Sequence, residues 1–163
     1  MSSASIIDKQ KFSSKWFYFI YVPALIILLL GFGTALFSEP QNNLVPKAFI
    51  PVFLLMAIVF FILTKATLSV EINSSTIKYK FFPFQFKERV IEFKDVNHIS
   101  VEAINPLKDF YGYGIKFGKE GKACIANGNS AMKIIFKNGE MLYIGISKTA
   151  EIKLMIAKSF PQN

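Results

Sequence analysis

A chain of 163 residues with a formal net charge of +8 has room for one domain and an appendage. One histidine and one cysteine, His98 and Cys124, cannot make a closed zinc site. No long basic run of the kind that tracks nucleic acid is present either. The apolar content, 52% of residues with 18 phenylalanines, is concentrated early in the chain.

Residues 16–38 contain no charged side chain, and neither do residues 48–64. Uninterrupted apolar runs of this length predict helices in lipid. Thirteen Leu, Ile, Val or Phe lie between Phe17 and Phe37. At roughly 0.3–0.6 kcal/mol each, they favour insertion by about 4–8 kcal/mol. Pro23 lies near the start, where a kink is tolerable, and Pro51 falls in the first turn of the second span. The second run is about 26 Å long as a helix, slightly short, with Lys47 and Lys65 able to snorkel outward at its ends. A cleaved signal peptide fits poorly, because the first run is too long and a second span follows at once. Gly31, Gly33 and Ala35 suggest close helix packing, against the second span or another copy of the chain.

The segment before the first span, residues 1–15, reads as a plain cytoplasmic N-terminus carrying three lysines and one aspartate. The short connection SEPQNNLVPK has one acid and one base, whereas 15 Lys or Arg and nine acids lie from Lys65 onward. The positive-inside rule therefore places both ends in the cytoplasm. Trp16, Tyr18 and Tyr21 lie near the inner boundary, where amphipathic rings settle. A lone cysteine suits a reducing compartment, and Cys124 reads as a small buried hydrophobe.

After Lys65 the pattern alternates. TLSVEI, TIKYKFF, KERVIEF and VNHISVEAI are polar–apolar runs separated by turn residues. YGIKF, KACIA, AMKIIF and MLYIGI continue the scheme across the turns GKEG, NGNS and KNGE. Asn138-Gly139 carries the signal for a tight type I′ turn with two positive φ values. Roughly seven antiparallel strands are expected, forming a bent sheet or barrel. The last segment places Ile152, Met155, Ile156 and Phe160 at helical spacing. Ser147 or Thr149 can cap its start, with Glu151 in the first turn and Lys158 near the end, as the helix dipole favours.

The stretch from Asn105 to Ile152 resembles the bacterial PH-domain membrane proteins, in which two transmembrane helices precede one pleckstrin-homology-like domain. Pro106, Leu107, Gly112, Gly114, Gly121, Ala123, Gly128, Asn129, Gly139 and Gly145 stand where that family places its marks. Tyr113 replaces the usual Trp and Lys116 the usual Arg. The resemblance implies the fold class: a membrane helical hairpin (16–64) carrying a cytoplasmic PH-like domain (65–163), in the bacterial inner membrane. It implies no agreed biochemical activity.

The glycine run from Gly112 is not a phosphate loop. Lys116 stands where a Walker A motif needs its first Gly, and Ala123 where it needs Ser or Thr. The carboxylate pairs Glu88 with Glu92 and Asp95 with Glu102 read as solvated faces, and no catalytic set or cofactor motif stands out. Lys116, Lys119 and Lys122 cluster around one hairpin and Lys78, Lys80, Lys87 and Arg89 around another, and Lys116, Lys119 and Lys122 are the candidate site for an anionic lipid headgroup. The expectation is a non-catalytic membrane protein whose domain binds a protein partner, a second copy or the membrane surface. The alternatives are an oligomeric pore or transporter accessory, and specific recognition of an anionic lipid.

Overall fold

The computed structural model describes the backbone of residues 5–12, 15–38, 44–118 and 121–160, and the side chains of all but 15–17, 38 and 44–46 of these. The chain forms two units. One is the segment 13–64; the other combines the N-terminal residues up to Phe12 with everything from Lys65 onward.

The first unit is a pair of helices, α1 (Lys15–Ser38) and α2 (Leu44–Lys65). Their windows Tyr18–Phe37 and Lys47–Lys65 have mean hydropathies of 2.3 and 2.4, long and apolar enough to cross a membrane. Aromatic rings fill the seam between them. Phe32 meets Phe49 at 5.6 Å and Phe53 at 5.9 Å, and Tyr21 meets Phe60 at 5.1 Å. Positions 49, 53, 56 and 60 repeat at the alternating four-and-three spacing of a helix–helix seam. The Tyr21 hydroxyl donates to the Met56 carbonyl at 3.2 Å, so its polar end is satisfied without water. Gly31 lies on this seam, where an added Cβ would touch the Phe49 ring at 3.7 Å. Gly33 faces open space and Ala35 is half-buried. The three small residues therefore do not share one contact. Large rings, rather than close backbone approach, fill the space between α1 and α2.

The second unit contains two sheets. The first has the order β1 (Ile6–Lys11), β2 (Thr67–Ile72), β3 (Thr76–Phe82) and β4 (Arg89–Glu92), all antiparallel. The second comprises β5 (Val96–Ala103), β6 (Gly114–Gly118), β7 (Gly121–Ile125), β8 (Ser130–Phe136) and β9 (Met141–Gly145), in the order β5-β8-β9-β7-β6. The β7–β9 pair is parallel, an exception to the antiparallel expectation. Alternation buries Leu68, Val70, Ile72, Ile77, Tyr79 and Phe81 on the inner face of the first sheet. They share a core with Ile99, Cys124, Met132, Ile134 and Ile144 of the second. Each large aliphatic or aromatic side chain so buried contributes about 1.5–3 kcal/mol. A short helix α3 (Pro106–Phe110), capped by Asn105 with Pro106 at its start, covers the outer face of the second sheet through Phe110.

The strand count exceeds the expected seven. Among the described residues eight strands follow α2, and β1 precedes α1. β1 lies within the segment that reads as a plain N-terminus. Its register with β2 runs from Ile6↔Ile72 to Lys11↔Thr67, and the Phe12 N–H extends it to the Ala66 carbonyl at 2.8 Å. The helical pair is thus an insertion between two neighbouring strands of one sheet. The Asn138-Gly139 turn also differs from expectation. Among the described residues only Tyr111 and glycines have positive φ, so Asn138 is not left-handed and the turn is not type I′. Instead Lys137, Asn138 and Gly139 form a three-residue loop with Gly139 at φ 86°, closed by Gly139 N–H to the Phe136 carbonyl at 3.0 Å.

The C-terminal helix α4 (Thr149–Ser159) buries Ile152, Met155 and Ile156 and packs on β5 and β1. Neither Ser147 nor Thr149 caps it. The cap position is Lys148, whose own side chain makes no capping bond. The acceptor comes from β1. Asp8, 1% exposed, accepts from the Ser147 N–H at 2.6 Å, the Lys148 N–H at 3.4 Å, Gln10 Nε2 at 3.2 Å, and the Ser147 hydroxyl. An Asp8→Ala exchange leaves these donors unmatched in a buried position, and is expected to cost the second unit on the order of 2–4 kcal/mol. Asp8→Asn, which keeps one acceptor oxygen, should cost about half as much. Urea unfolding of the full chain in micelles measures both.

Candidate functional site: an apolar cleft with two cations

A cleft of about 630 Å3 opens among β3, β4, the β6–β7 hairpin and the β8–β9 hairpin. Tyr79 and Arg89 line one side, Phe117 and Lys122 another, and Phe136 and Leu142 a third. Register explains the pairs. Tyr79 is opposite Arg89 across β3–β4, and Phe117 is opposite Lys122 across β6–β7. In both cases directly opposed residues share a face. The Lys122 ammonium lies 5.8 Å from the centre of the Phe117 ring, a cation–π contact on the wall. Gly121 lets β7 pass close to β9, since a Cβ there would clash with the Met141 carbonyl.

The electrostatics bring the two cations to one place. Burial pushes the Cys124 thiol up from 9.0 to about 11, and the charges of Lys122 and Arg89 both pull against that rise. Burial likewise pushes the Tyr79 hydroxyl up to about 12, with Cys124 adding to the rise and Arg89 opposing it. Tyr79 therefore stays a neutral hydrogen-bond donor at any physiological pH. It is 4% exposed and lines the cleft, and among the described residues no buried side-chain nitrogen or oxygen lacks a hydrogen-bond partner. Arg89 forms no ion pair among those residues. Among the described residues Glu140 is the one acid of the cleft lining. Two cations and a buried phenol donor in an apolar wall suit an anionic group joined to an apolar part.

The structure divides the lysines expected to act together. Lys122 lies on the cleft face of β7, but Lys116 is opposite Ala123, on the outer face of the hairpin. Lys119 lies outside the described residues. Arg89 comes from the other basic cluster and joins Lys122 because β4 and β7 meet at the cleft. Tyr79 was legible only as one more aromatic of an alternating strand. No local signal singles it out, because its role depends on what the opposite hairpin leaves unfilled. The paired carboxylates are separately engaged: Glu92 binds Lys94 at 2.6 Å and Glu102 accepts from the Ser100 hydroxyl at 2.8 Å. Hydrogen bonding to Glu92 holds the exposed Lys94 ammonium above its ordinary value. Among the described residues, no three His, Cys, Asp or Glu side chains are placed to hold a metal ion.

The buried thiol supplies a test of the site's interior. In the unfolded chain Cys124 ionises near pH 9, whereas the folded thiol holds its proton to about pH 11. The native state then binds more protons than the unfolded state across that window, so stability falls as pH rises through it. The loss is on the order of 2–3 kcal/mol. Stability profiles of the parent chain and of Cys124→Ala in micelles should diverge between pH 9 and 11, with the variant losing less. In comparisons with known proteins, no family model, no curated protein and no solved structure matches this chain.

Proposed function

We propose that the chain is a non-catalytic integral protein of the bacterial inner membrane, a helical hairpin with a cytoplasmic PH-like domain that binds at the membrane surface. Its cleft takes an anionic headgroup attached to an apolar chain. The observation that carries this reading is the convergence of Arg89, Lys122 and Tyr79 on one apolar cleft. A headgroup phosphate would accept from all three, while Phe117, Phe136 and Leu142 would receive the apolar part.

The membrane assignment draws on two helices of spanning length and hydropathy. Pairing of β1 with β2 supports placing both chain ends on one side. A strand that precedes the first span and a strand that follows the second can share hydrogen bonds only if the chain crosses and returns. The excess of lysine and arginine beyond Lys65 supports making that side the cytoplasm. Two sheets followed by a C-terminal helix support the PH-like assignment at the level of layout.

Hexyl phosphate titrated into the full chain in zwitterionic nanodiscs tests the cleft by calorimetry. Saturable binding is expected, weaker for inorganic phosphate and absent for hexanol. Arg89→Ala and Lys122→Ala should each lower affinity about tenfold or more, and Tyr79→Phe by a smaller factor. Undiminished binding in both cation variants would count against the cleft and in favour of a protein partner.

A further inference from the structure

The outer face of the first sheet and the loop that follows β3 carry an arrangement that the cleft does not use. Phe82, the last residue of β3, is 44% exposed, and Phe84 and Phe86 in the loop are 47% and 79% exposed. Single exposed apolar residues are ordinary on a protein surface, but three large rings within five positions are not. The loop holds these rings outward. The Gln85 N–H donates to the Phe81 carbonyl at 2.7 Å, and the Phe81 N–H donates back to Gln85 Oε1 at 3.2 Å. Phe84 stands edge-on to the buried Phe81 at 5.3 Å, and Phe86 stands edge-on to Phe82 at 6.5 Å.

Register sets lysines beside the rings, with Glu71 one row further on the same face and Glu88 after Lys87. One row of the sheet reads Lys11–Thr67–Phe82, and the next row on the same face reads Lys9–Ser69–Lys80. Tyr79 and Phe81 point inward, so Lys80 and Phe82 point outward together. Lys87 follows within the loop. None of Lys9, Lys11, Lys80 or Lys87 forms an ion pair among the described residues. The row that holds Phe82 is also the row where the chain arrives from α2: a single residue, Ala66, separates Lys65 from Thr67.

We propose that this aromatic and basic patch seats in the headgroup layer of an anionic bilayer, the one that α1 and α2 cross. The inference rests on reading those helices as membrane spans. Phenylalanine rings settle at the boundary between headgroups and acyl chains, and unpaired lysines around them draw anionic lipid. A covalent tether of one residue keeps that surface permanently at high effective concentration, which no free partner matches. The domain is then held down by the loop as well as by the hairpin, with the patch as a second anchor.

The test uses the full chain with Trp16→Phe, which removes the native indole, and Phe86→Trp as reporter. Phe86 is the most exposed of the three rings, so the exchange leaves the core untouched. The protein is reconstituted in phosphatidylglycerol vesicles, with and without acyl chains brominated near the headgroup end. The expected result is blue-shifted emission that bromolipid quenches and aqueous acrylamide does not, with quenching reduced in phosphatidylcholine and in Lys80→Glu/Lys87→Glu. Emission open to acrylamide and indifferent to bromolipid overturns the proposal and shows a solvated loop. Emission shielded from both quenchers overturns it in favour of a protein surface covering the loop. Alkaline extraction of the same vesicles separates the two levels: a released chain removes the membrane spans and this inference together, whereas a retained chain with an unquenched loop removes this inference alone.

Discussion

A carboxylate in the eighth position holds the start of the last helix. Asp8 reaches across from β1 to the backbone N–H groups of Ser147 and Lys148, where α4 begins without a cap of its own. Helix N-termini expose unsatisfied donors and a partial positive charge, and a buried anion answers both. The contact ties the segment before the first membrane-length helix to the final element of the chain. It explains why two polar side chains, Asp8 and Gln10, sit inside an otherwise apolar unit, since each is hydrogen-bonded there. A buried charge without such partners would be far more costly than any gain from pairing the strand.

The consequence is topological. With β1 held at both its sheet edge and the helix start, the hairpin of α1 and α2 becomes a long connection between adjacent antiparallel strands. Two strands flank the helical pair, with Lys11 paired to Thr67 and the Phe12 N–H bonded to the Ala66 carbonyl at 2.8 Å. Lys11, Thr67 and Phe82 share one row of the first sheet.

Cleft and loop divide the basic residues of the β3–β4 region between two surfaces. Alternation sends Tyr79 inward and Lys80 outward, so one strand serves both surfaces. Arg89, at the start of β4, joins Lys122 on the cleft, while Lys80 and Lys87 stay with the exposed rings. On the proposed function, a headgroup held in the cleft and a loop seated in the headgroup layer would draw on the same anionic lipid, and ionic strength would weaken both. Burial keeps Cys124 and Tyr79 neutral well above physiological pH, outweighing Lys122 and Arg89 at the thiol and Arg89 at the phenol.

Local pattern alone determined the two membrane-length helices, the strands β2 and β3 to the residue, and the amphipathic stripe of α4, because each rests on periodic burial that neighbouring residues already display. β1 escaped that reading for a physical reason. Its inward residues are Asp8 and Gln10 and its outward ones include Ile7, the reverse of the usual alternation, and only the distant helix start makes the reversal favourable. The type I′ turn at Asn138 failed because an adjacent residue, Lys137, joins the loop and leaves the left-handed position to Gly139 alone. Proximity in sequence suggested that Lys116 and Lys122 act together, and the pleat of one hairpin sends them to opposite faces. Which cations meet, and that Tyr79 faces them, was decided only when four separate segments packed around one cleft, since the space a fold leaves open is a property of all its walls at once.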